Sequence, residues 1–310
     1  MQTIYSKTIE KPCGWLFARW SAGAKAFELT LPPEKRVIND PLAPFYAGEI
    51  GMNMVKAAMA INPAIRKAIV LRARYMDDYT RKCLADGYGQ VVLLGAGYDS
   101  RYLRIDECRH IRVFELDLES TQVIKKSLTR RLFGKLPENV TYVSLDFSKD
   151  SICQKLLAAG FQRQIRALFI WEGVTLFLNQ DIITETLGRI TELGPHHRIT
   201  FDFVPPELVD DETEYQGNRQ LLQWCAAVQE PLTFGSRPDK IASMLKGLGY
   251  GEINVVSMRE ANKQYSGTER IEDSYYFATA ETGGNGTDPP HGLIIPATNI
   301  GTVSVTVETR

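Results

Sequence analysis

The chain has 310 residues, of which 44% are hydrophobic and 24% are charged, a composition typical of a globular protein with a sizeable core. Its 36 Lys and Arg residues balance its 37 Asp and Glu residues, so no net field draws it to nucleic acid or anionic lipid, and neither is expected as a partner. The five cysteines are far apart and show no metal-ligand spacing, which argues against a metal site or a disulfide framework and fits a reducing cytoplasm.

The first 86 residues are predicted to form a helical lid region. Residues 1–11 lack the pattern of a signal peptide, and no apolar stretch of the chain approaches the roughly 20 residues of a membrane span, so we expect a soluble cytoplasmic protein. From about Cys13 to Asp86, apolar residues recur three and four positions apart, as in amphipathic helices. Pro32-Pro33 and the segment Pro41 to Pro44 divide this region into separate helices.

A parallel sheet is predicted next. The run Gln90 to Gly95 is short, continuously apolar and ends in glycine, as in a strand buried on both faces. Similar runs alternate with helix-like segments, which favours a doubly wound, Rossmann-like α/β fold of about seven strands. These runs are Ile111 to Leu116, Val140 to Leu145, Ala167 to Trp171, Arg198 to Val204, Ile253 to Val256 and Ser274 to Ala280. No helix is predicted between Ile253 to Val256 and the last run, so we expect the last run to be antiparallel and to belong to a hairpin at the edge of the sheet.

The predicted core therefore comprises residues 87–204 and 251–280. The intervening residues 205–250 are too many for a simple crossover and carry a helical pattern, so we expect them to form a cap over the substrate. Residues 281–310 are rich in Gly, Pro, Thr and Asn, which predicts a flexible tail.

The clearest ligand-binding signal follows the first predicted strand, where Gly95-Ala96-Gly97 leads into a helix-like segment. Glycines at the carboxyl end of such a strand let the backbone approach a nucleotide closely, although a tight turn without a ligand has the same pattern. Ser100 stands where a dinucleotide fingerprint has a third small residue beside the pyrophosphate. S-adenosylmethionine has no phosphate, so this turn favours it over NAD.

Acidic residues close the following strands. Asp117 lies about 20 residues after the glycine turn, where a carboxylate binds ribose in either cofactor or is simply solvated. Asp146 closes the third strand and suits either the adenine amino group or a helix cap. Glu172 lies in an apolar run, so it needs a cationic partner, which is either a ligand ammonium or an internal Arg or Lys.

Two basic residues of the N-terminal region, Lys25 and Arg72, are candidates for binding the carboxylate of the cofactor's methionine end. A solvated helix face is the alternative for both residues.

Taken together, these motifs resemble the leucine carboxyl methyltransferase family, including its bacterial branch of polyketide-pathway O-methyltransferases. The resemblance spans roughly Trp15 to Ala280 and rests on the order and spacing of several motifs. These are Asn39-Asp40-Pro41, Arg72-Ala-Arg74-Tyr-Met-Asp77-Asp78, Gly95-Ala-Gly97-Tyr-Asp99-Ser-Arg101, Phe114-Glu-Leu-Asp117, Trp171-Glu172-Gly173 and Glu230-Pro231-Leu-Thr-Phe234-Gly235.

The resemblance implies a class I methyltransferase sheet that binds S-adenosylmethionine. It implies that Lys25 and Arg72 hold the methionine carboxylate and that Glu172 lies near the same end. Gly95 would line the cofactor, Asp117 would bind the ribose, and Asp146 with Phe147 would frame the adenine. Phe177 stands where the protein-methylating members carry a tyrosine, which favours a small-molecule acceptor over a protein C-terminus.

We therefore predict an S-adenosylmethionine-dependent O-methyltransferase. His110, His196 and His197 precede strands, away from the ligand-binding edge, and His291 lies in the predicted tail. Without a histidine base, an acceptor that is already ionised is favoured, so the prediction is a carboxylate or an acidic hydroxyl of a small molecule. The remaining candidates for a base or an orienting group are Tyr98, Tyr215 and Tyr265.

Three alternatives stay open. An NAD(P)-dependent oxidoreductase would share the sheet and the ribose acid but not the glycine pattern. A non-catalytic module would bind S-adenosylmethionine without turnover. Within the predicted class, a protein C-terminal carboxyl methyltransferase is the remaining possibility.

Overall fold

The computed structural model describes residues 14–62, 64–210, 219, 222–223, 225–226, 230–265 and 274–283. The candidate base Tyr215, the histidine His291, most of the helical pattern predicted for the cap and the predicted tail after residue 283 lie outside the described residues.

Three helices form the N-terminal region: α1 (Trp15–Glu28), α2 (Ala43–Ile61) and α3 (Ile65–Ala85). The prolines lie at their boundaries, as predicted. Pro33 begins a short 3-10 turn, and Pro44 lies in the first turn of α2, where the missing N–H of proline costs no helical hydrogen bond.

The sheet has seven strands in the order β3-β2-β1-β4-β5-β7-β6. They are β1 (Gln90–Leu94), β2 (Arg112–Asp117), β3 (Val140–Ser144), β4 (Ala167–Trp171), β5 (Arg198–Phe203), β6 (Tyr250–Ser257) and β7 (Tyr276–Thr282). Strands β1 to β5 are parallel, whereas β7 runs antiparallel to both of its neighbours. The predicted doubly wound fold with an antiparallel last strand is therefore confirmed.

Strands β6 and β7 form the predicted antiparallel pair at the edge of the sheet, with β6 outermost and β7 between β5 and β6. One prediction about this pair was wrong, because the helix α10 (Met258–Tyr265) separates the two strands in the chain. This helix has only eight residues and is mostly polar, so it has few apolar residues by which to recognise it in the sequence. The burial of Phe277, Ala278 and Ala280 fits the interior position of β7.

The other helices cover both faces of the sheet, which explains why its strands are continuously apolar. They are α4 (Arg101–Arg104), α5 (Glu119–Phe133), α6 (Ile152–Ala158), α7 (Gln180–Thr191), α8 (Pro206–Val209) and α9 (Pro238–Gly247). Val91 and Leu93 of β1 face a core that includes α3, whereas Val92 and Leu94 face a second core that includes α7 and α9.

The topology places the ligand-binding edge. From β1 the chain proceeds outward to β2 and β3, and it then crosses back to β4 on the other side of β1. Doubly wound sheets bind ligands outside the carboxyl ends of the strands at this switch point. No helix within the described ranges combines the length and apolar character needed to cross a membrane.

Candidate functional site

A cavity of about 370 Å³ opens at the carboxyl ends of β1, β2, β3 and β4. All the residues predicted to bind the cofactor contribute to its wall. They are Lys25, Arg72, Gly95, Ala96, Gly97, Asp117, Asp146, Phe147 and Glu172. The structure thus brings together residues from six separate segments of the chain.

The glycine turn after β1 forms part of the cavity wall. Gly95 has a φ of 64°, and a Cβ atom at this position would lie 2.5 Å from Cγ2 of Val174. Both the backbone conformation and the close approach therefore require glycine.

The same turn fixes the carboxylate of Asp117. The Gly97 N–H donates to Oδ2 of Asp117 at 2.5 Å, and the Leu118 N–H donates to Oδ1 at 2.7 Å. Burial raises the pKa of Asp117, and these two amides oppose that rise. A cavity-lining carboxylate in this position is preorganised to accept hydrogen bonds from a ribose.

The carboxylate of Asp146 binds to residues just after it in the chain. Oδ1 accepts from the Ser148 N–H at 3.0 Å, and Oδ2 accepts from Lys149 Nζ at 2.6 Å. Hydrogen bonds from Lys149 and Ser148 lower the pKa of Asp146 to about 2. The carboxylate therefore stabilises the turn that follows β3 and does not cap a helix, since Ser151 is the N-cap of α6. The adjacent Phe147 lies on the cavity wall, with its ring centroid 5.3 Å from that of Trp171.

Arg101 is a buried hub that the sequence did not predict as a site residue, although its motif was noted. Its side chain is 1% exposed and contacts three carboxylates. Nε donates to Asp77 at 2.9 Å, Nη1 donates to Asp99, and Nη2 donates to Glu172 at 2.7 Å. One guanidinium from the glycine-turn motif thereby ties α3 to the end of β4.

Glu172 has two cationic partners, because Arg72 Nε lies 3.5 Å from its Oε1 in addition to the Arg101 contact. Burial alone would raise the pKa of Glu172, but the charges of Arg101, Arg72 and Lys25 outweigh it and hold the pKa below its ordinary value. The internal ion pair is therefore present, and the ionised carboxylate also lines the cavity, where a ligand ammonium would meet it.

Asp202 is a buried acid that sequence reasoning missed. It lies on β5, accepts from the Gly173 N–H at 2.6 Å and lies 3.4 Å from Nη1 of Arg72. Burial raises the pKa of Asp202 to about 6, against the opposing charge of Arg72. Its only sequence signal was a lone carboxylate in an apolar strand. The guanidinium of Arg72 is thus held between Glu172 and Asp202.

Lys25 extends this charged network to the N-terminal motifs. Its Nζ lies 3.8 Å from Oδ2 of Asp40, which also accepts from Ser100 Oγ at 2.6 Å. Ser100 therefore hydrogen-bonds α4 to the segment before α2, a role that explains a polar side chain where a dinucleotide site has a small one.

The rest of the cavity wall is largely apolar. Phe17 of α1 packs on Phe177 with their ring centroids 4.7 Å apart, and Leu176, Leu208 and Leu232 line the same region. We call this part of the wall, with Glu230 and Tyr275, the acceptor chamber. Neither Glu230 nor Tyr275 was predicted as a site residue, although Glu230 begins one of the motifs that carry the family resemblance.

The candidate bases predicted from sequence lie in different places. Tyr98 lines the cavity and packs against Tyr46, with ring centroids 5.9 Å apart. Tyr265 lies outside the cavity wall, and Arg74 stacks on its ring at 5.1 Å from the centroid.

The described histidines also lie outside the cavity wall. Nδ1 of His197 accepts from the Ala167 N–H at 3.1 Å, at the amino end of β4, and burial lowers the pKa of His197 to about 4. His196 Nδ1 lies 3.1 Å from Glu281. Both contacts place these side chains at the opposite edge of the sheet from the cavity.

The sheet order, the antiparallel β7 and the cavity above β1 and β2 define a doubly wound, Rossmann-like fold with a ligand cavity at its switch point. Residues 18–191 match the model of the leucine carboxyl methyltransferase family, and the chain belongs to this family. The predicted family is thereby confirmed.

Relatives by sequence carry the name "putative S-adenosyl-L-methionine-dependent methyltransferase". The chain is 30% identical to one from Streptomyces avermitilis over 189 residues, which are 58% of this chain and 66% of the relative. It is 32% identical to another from Frankia alni over 195 residues, 59% of this chain and again 66% of the relative. The matched segments thus span slightly less than two thirds of these relatives.

Two solved structures share the fold. A DUF574 family protein from Streptomyces avermitilis has a TM-score of 0.58 at 16% identity, and the match covers 84% of this chain and 97% of that protein's chain. A "putative methyltransferase" from Thermobifida fusca has a TM-score of 0.58 at 13% identity, and the match covers 89% of this chain and 100% of that chain. At these identities the likeness concerns the fold alone.

Proposed function

We propose that the protein transfers the methyl group of S-adenosylmethionine to an oxygen of a small-molecule acceptor, either a carboxylate or an acidic hydroxyl. The observation that supports this proposal best is that one continuous cavity has both a charged part and an apolar part. Its charged part contains every residue predicted for the cofactor, and its apolar part leaves a chamber for a second molecule.

The residues present fit the cofactor at both ends. Asp117 offers a fixed carboxylate for the ribose hydroxyls, and Phe147 offers a flat apolar surface for the adenine. At the methionine end, Glu172 offers a negative charge for the ammonium, and Lys25 and Arg72 offer positive charges for the carboxylate. When bound, the cofactor supplies a methyl group on a positively charged sulfur.

The protein's own contribution is to bind, orient and exclude water. The ion pairs of Arg101 and Arg72 hold the charged side chains in place before any ligand arrives, so little reorganisation is needed on binding. The apolar chamber would hold an acceptor molecule beside the cofactor. Such positioning contributes up to about 7–11 kcal/mol in the best cases.

A small molecule suits the chamber better than a protein C-terminus. Phe17 and Phe177 pack against each other on the wall, so this region offers aromatic surface and no tyrosine hydroxyl at position 177. The lining supports an acceptor with an apolar body.

Calorimetry with S-adenosylmethionine, S-adenosylhomocysteine and NAD tests the proposal, together with an assay for S-adenosylhomocysteine formation on a panel of small acids and phenols. We expect binding of the first two compounds and turnover with some acceptors. Binding of NAD in their place would favour an oxidoreductase. Cofactor binding without turnover on any acceptor would favour a non-catalytic module, and a folded protein that binds neither methyl donor nor product would refute the proposal.

A further inference from the structure

Glu230 lies on the wall of the acceptor chamber, in the segment that also contains Leu232. The Thr233 and Phe234 N–H groups donate to the Leu176 carbonyl at 2.8 and 3.3 Å, so this segment lies against the turn that follows Glu172. The Glu230 N–H donates to the Cys225 carbonyl at 2.9 Å. Glu230, Cys225 and Leu176 all lie on the cavity wall.

The carboxylate of Glu230 differs from the other acids of the cavity wall. Asp99 and Glu172 are held by Arg101, Asp117 by two backbone amides, and Asp146 by Ser148 and Lys149. Within the described ranges, no side chain or amide forms a hydrogen bond or ion pair with the Glu230 carboxylate. It is half-buried among apolar neighbours, and this burial raises the pKa of Glu230.

A carboxylate that has no partner among the described residues, is partly desolvated and lies on a cavity wall has the properties of a proton acceptor. The other polar group of the chamber, Tyr275, does not. Burial raises the pKa of Tyr275 to about 12, so its hydroxyl stays protonated at neutral pH and acts as a hydrogen-bond donor. The described histidines lie at the far edge of the sheet.

We propose that Glu230 is the general base of the transfer and that the acceptor carries an acidic hydroxyl, such as a phenol, on an apolar body. This inference rests on the proposed function and decides between its two acceptor types. A carboxylate acceptor needs no base, and its charge would be repelled by Glu230.

The step balances without another reactant. The hydroxyl proton moves to the Glu230 carboxylate as the hydroxyl oxygen forms its bond to the methyl carbon. The carbon–sulfur bond breaks and its electron pair stays on sulfur. Glu230 then releases the proton to solvent, so the products are the methyl ether, S-adenosylhomocysteine and one proton.

The test compares Glu230→Gln with a matched control, Glu207→Gln, which removes an exposed charge of α8 that lies outside the cavity wall. The probes are phenol, 4-nitrophenol and benzoate, and the assay measures S-adenosylhomocysteine formation. We expect Glu230→Gln to slow methylation of phenol by about 10²- to 10⁴-fold. The effect should shrink with 4-nitrophenol, which is partly ionised near neutral pH, and should be absent or reversed with benzoate, whose charge Glu230 repels, while Glu207→Gln changes none of the rates.

A second measurement does not need turnover. The absorption spectrum of 4-nitrophenol mixed with the protein and S-adenosylhomocysteine reports whether the bound phenol is protonated. The negative charge of Glu230 should favour the protonated form, so Glu230→Gln should shift the spectrum toward the phenolate. Equal spectra for the wild-type protein and the variant would overturn the proposal.

The other outcomes also discriminate. Equal slowing of all three probes would indicate a structural role and overturn the general base. Turnover of benzoate but of no phenol would overturn this inference and leave the proposed function standing. Failure to bind S-adenosylmethionine would overturn both.

Discussion

The charged part of the cavity and the acceptor chamber are built in different ways. In the charged part, Asp117 and Glu172 are held by partners from the glycine turn and its helix, so the side chains are fixed before a ligand binds. The chamber is formed by apolar side chains from α1, from the turn after β4 and from the segment around Leu232. Cofactor binding should therefore depend on one connected network of charges, whereas acceptor choice should depend on individual apolar side chains that can be changed one at a time.

The strongest test of the network is Arg101→Gln, because Arg101 contacts three carboxylates while fully buried. Removing its charge leaves Asp77, Asp99 and Glu172 without their common partner, so the free energy of unfolding should fall by about 3–5 kcal/mol. Urea denaturation measures this. The control Arg109→Gln breaks an exposed pair with Asp106 and should change stability by less than about 0.5 kcal/mol. Similar losses in the two variants would contradict the hub role.

The ribose site can be tested separately with Asp117→Asn. The Gly97 and Leu118 N–H groups donate to different oxygens of Asp117, so the amide keeps an acceptor for only one of them and also loses the charge that would bind the ribose. A charge-assisted hydrogen bond contributes about 1.5–3 kcal/mol, so the affinity for S-adenosylmethionine should fall about 10- to 100-fold. Calorimetry measures the change. Glu119→Gln, an exposed neighbour at the start of α5, should bind as the wild type does; a comparable loss there would point to a general charge effect.

Acid should destabilise the charged part of the cavity through Glu172. Because the pKa of Glu172 is held below its ordinary value of 4.5, its ionised form stabilises the fold above that pH. This stabilisation, on the order of 2 kcal/mol, should be lost as the pH falls from about 4.5 toward 2. Denaturation at a series of pH values should show a shallower acid limb for Glu172→Gln. An unchanged limb would mean that other carboxylates account for the acid sensitivity.

The smallest expected effect concerns the chamber. Leu232→Ala removes apolar surface from its wall, so kcat/KM for an apolar acceptor should fall about 5- to 10-fold while the affinity for S-adenosylmethionine stays the same. Leu157→Ala, on the exposed face of α6, should change neither quantity. A coupled loss of cofactor affinity in Leu232→Ala would show that the two parts of the cavity are not separable.

The sequence was informative where function depends on local pattern. The turn at Gly95, the acid at Asp117 and the alternation of strands and helices could all be predicted, because each depends on residues near one another in the chain. Asp202 and Glu230 could not be predicted, since their roles arise from contacts with Arg72 and with the chamber. The place of β7 between β5 and β6 could not be predicted for a similar reason, as strand order within the sheet is a tertiary property.

The direction of β7 has a consequence for how the fold responds to a ligand. Because this strand is antiparallel, its beginning lies beside the end of β5, with Tyr276 paired to Phe203, and it delivers Tyr275 to the cavity. Phe17, near the start of α1, lies on the same wall. A ligand in the cavity would contact two segments that are distant in sequence. Amide hydrogen exchange should therefore slow on binding in both α1 and the beginning of β7.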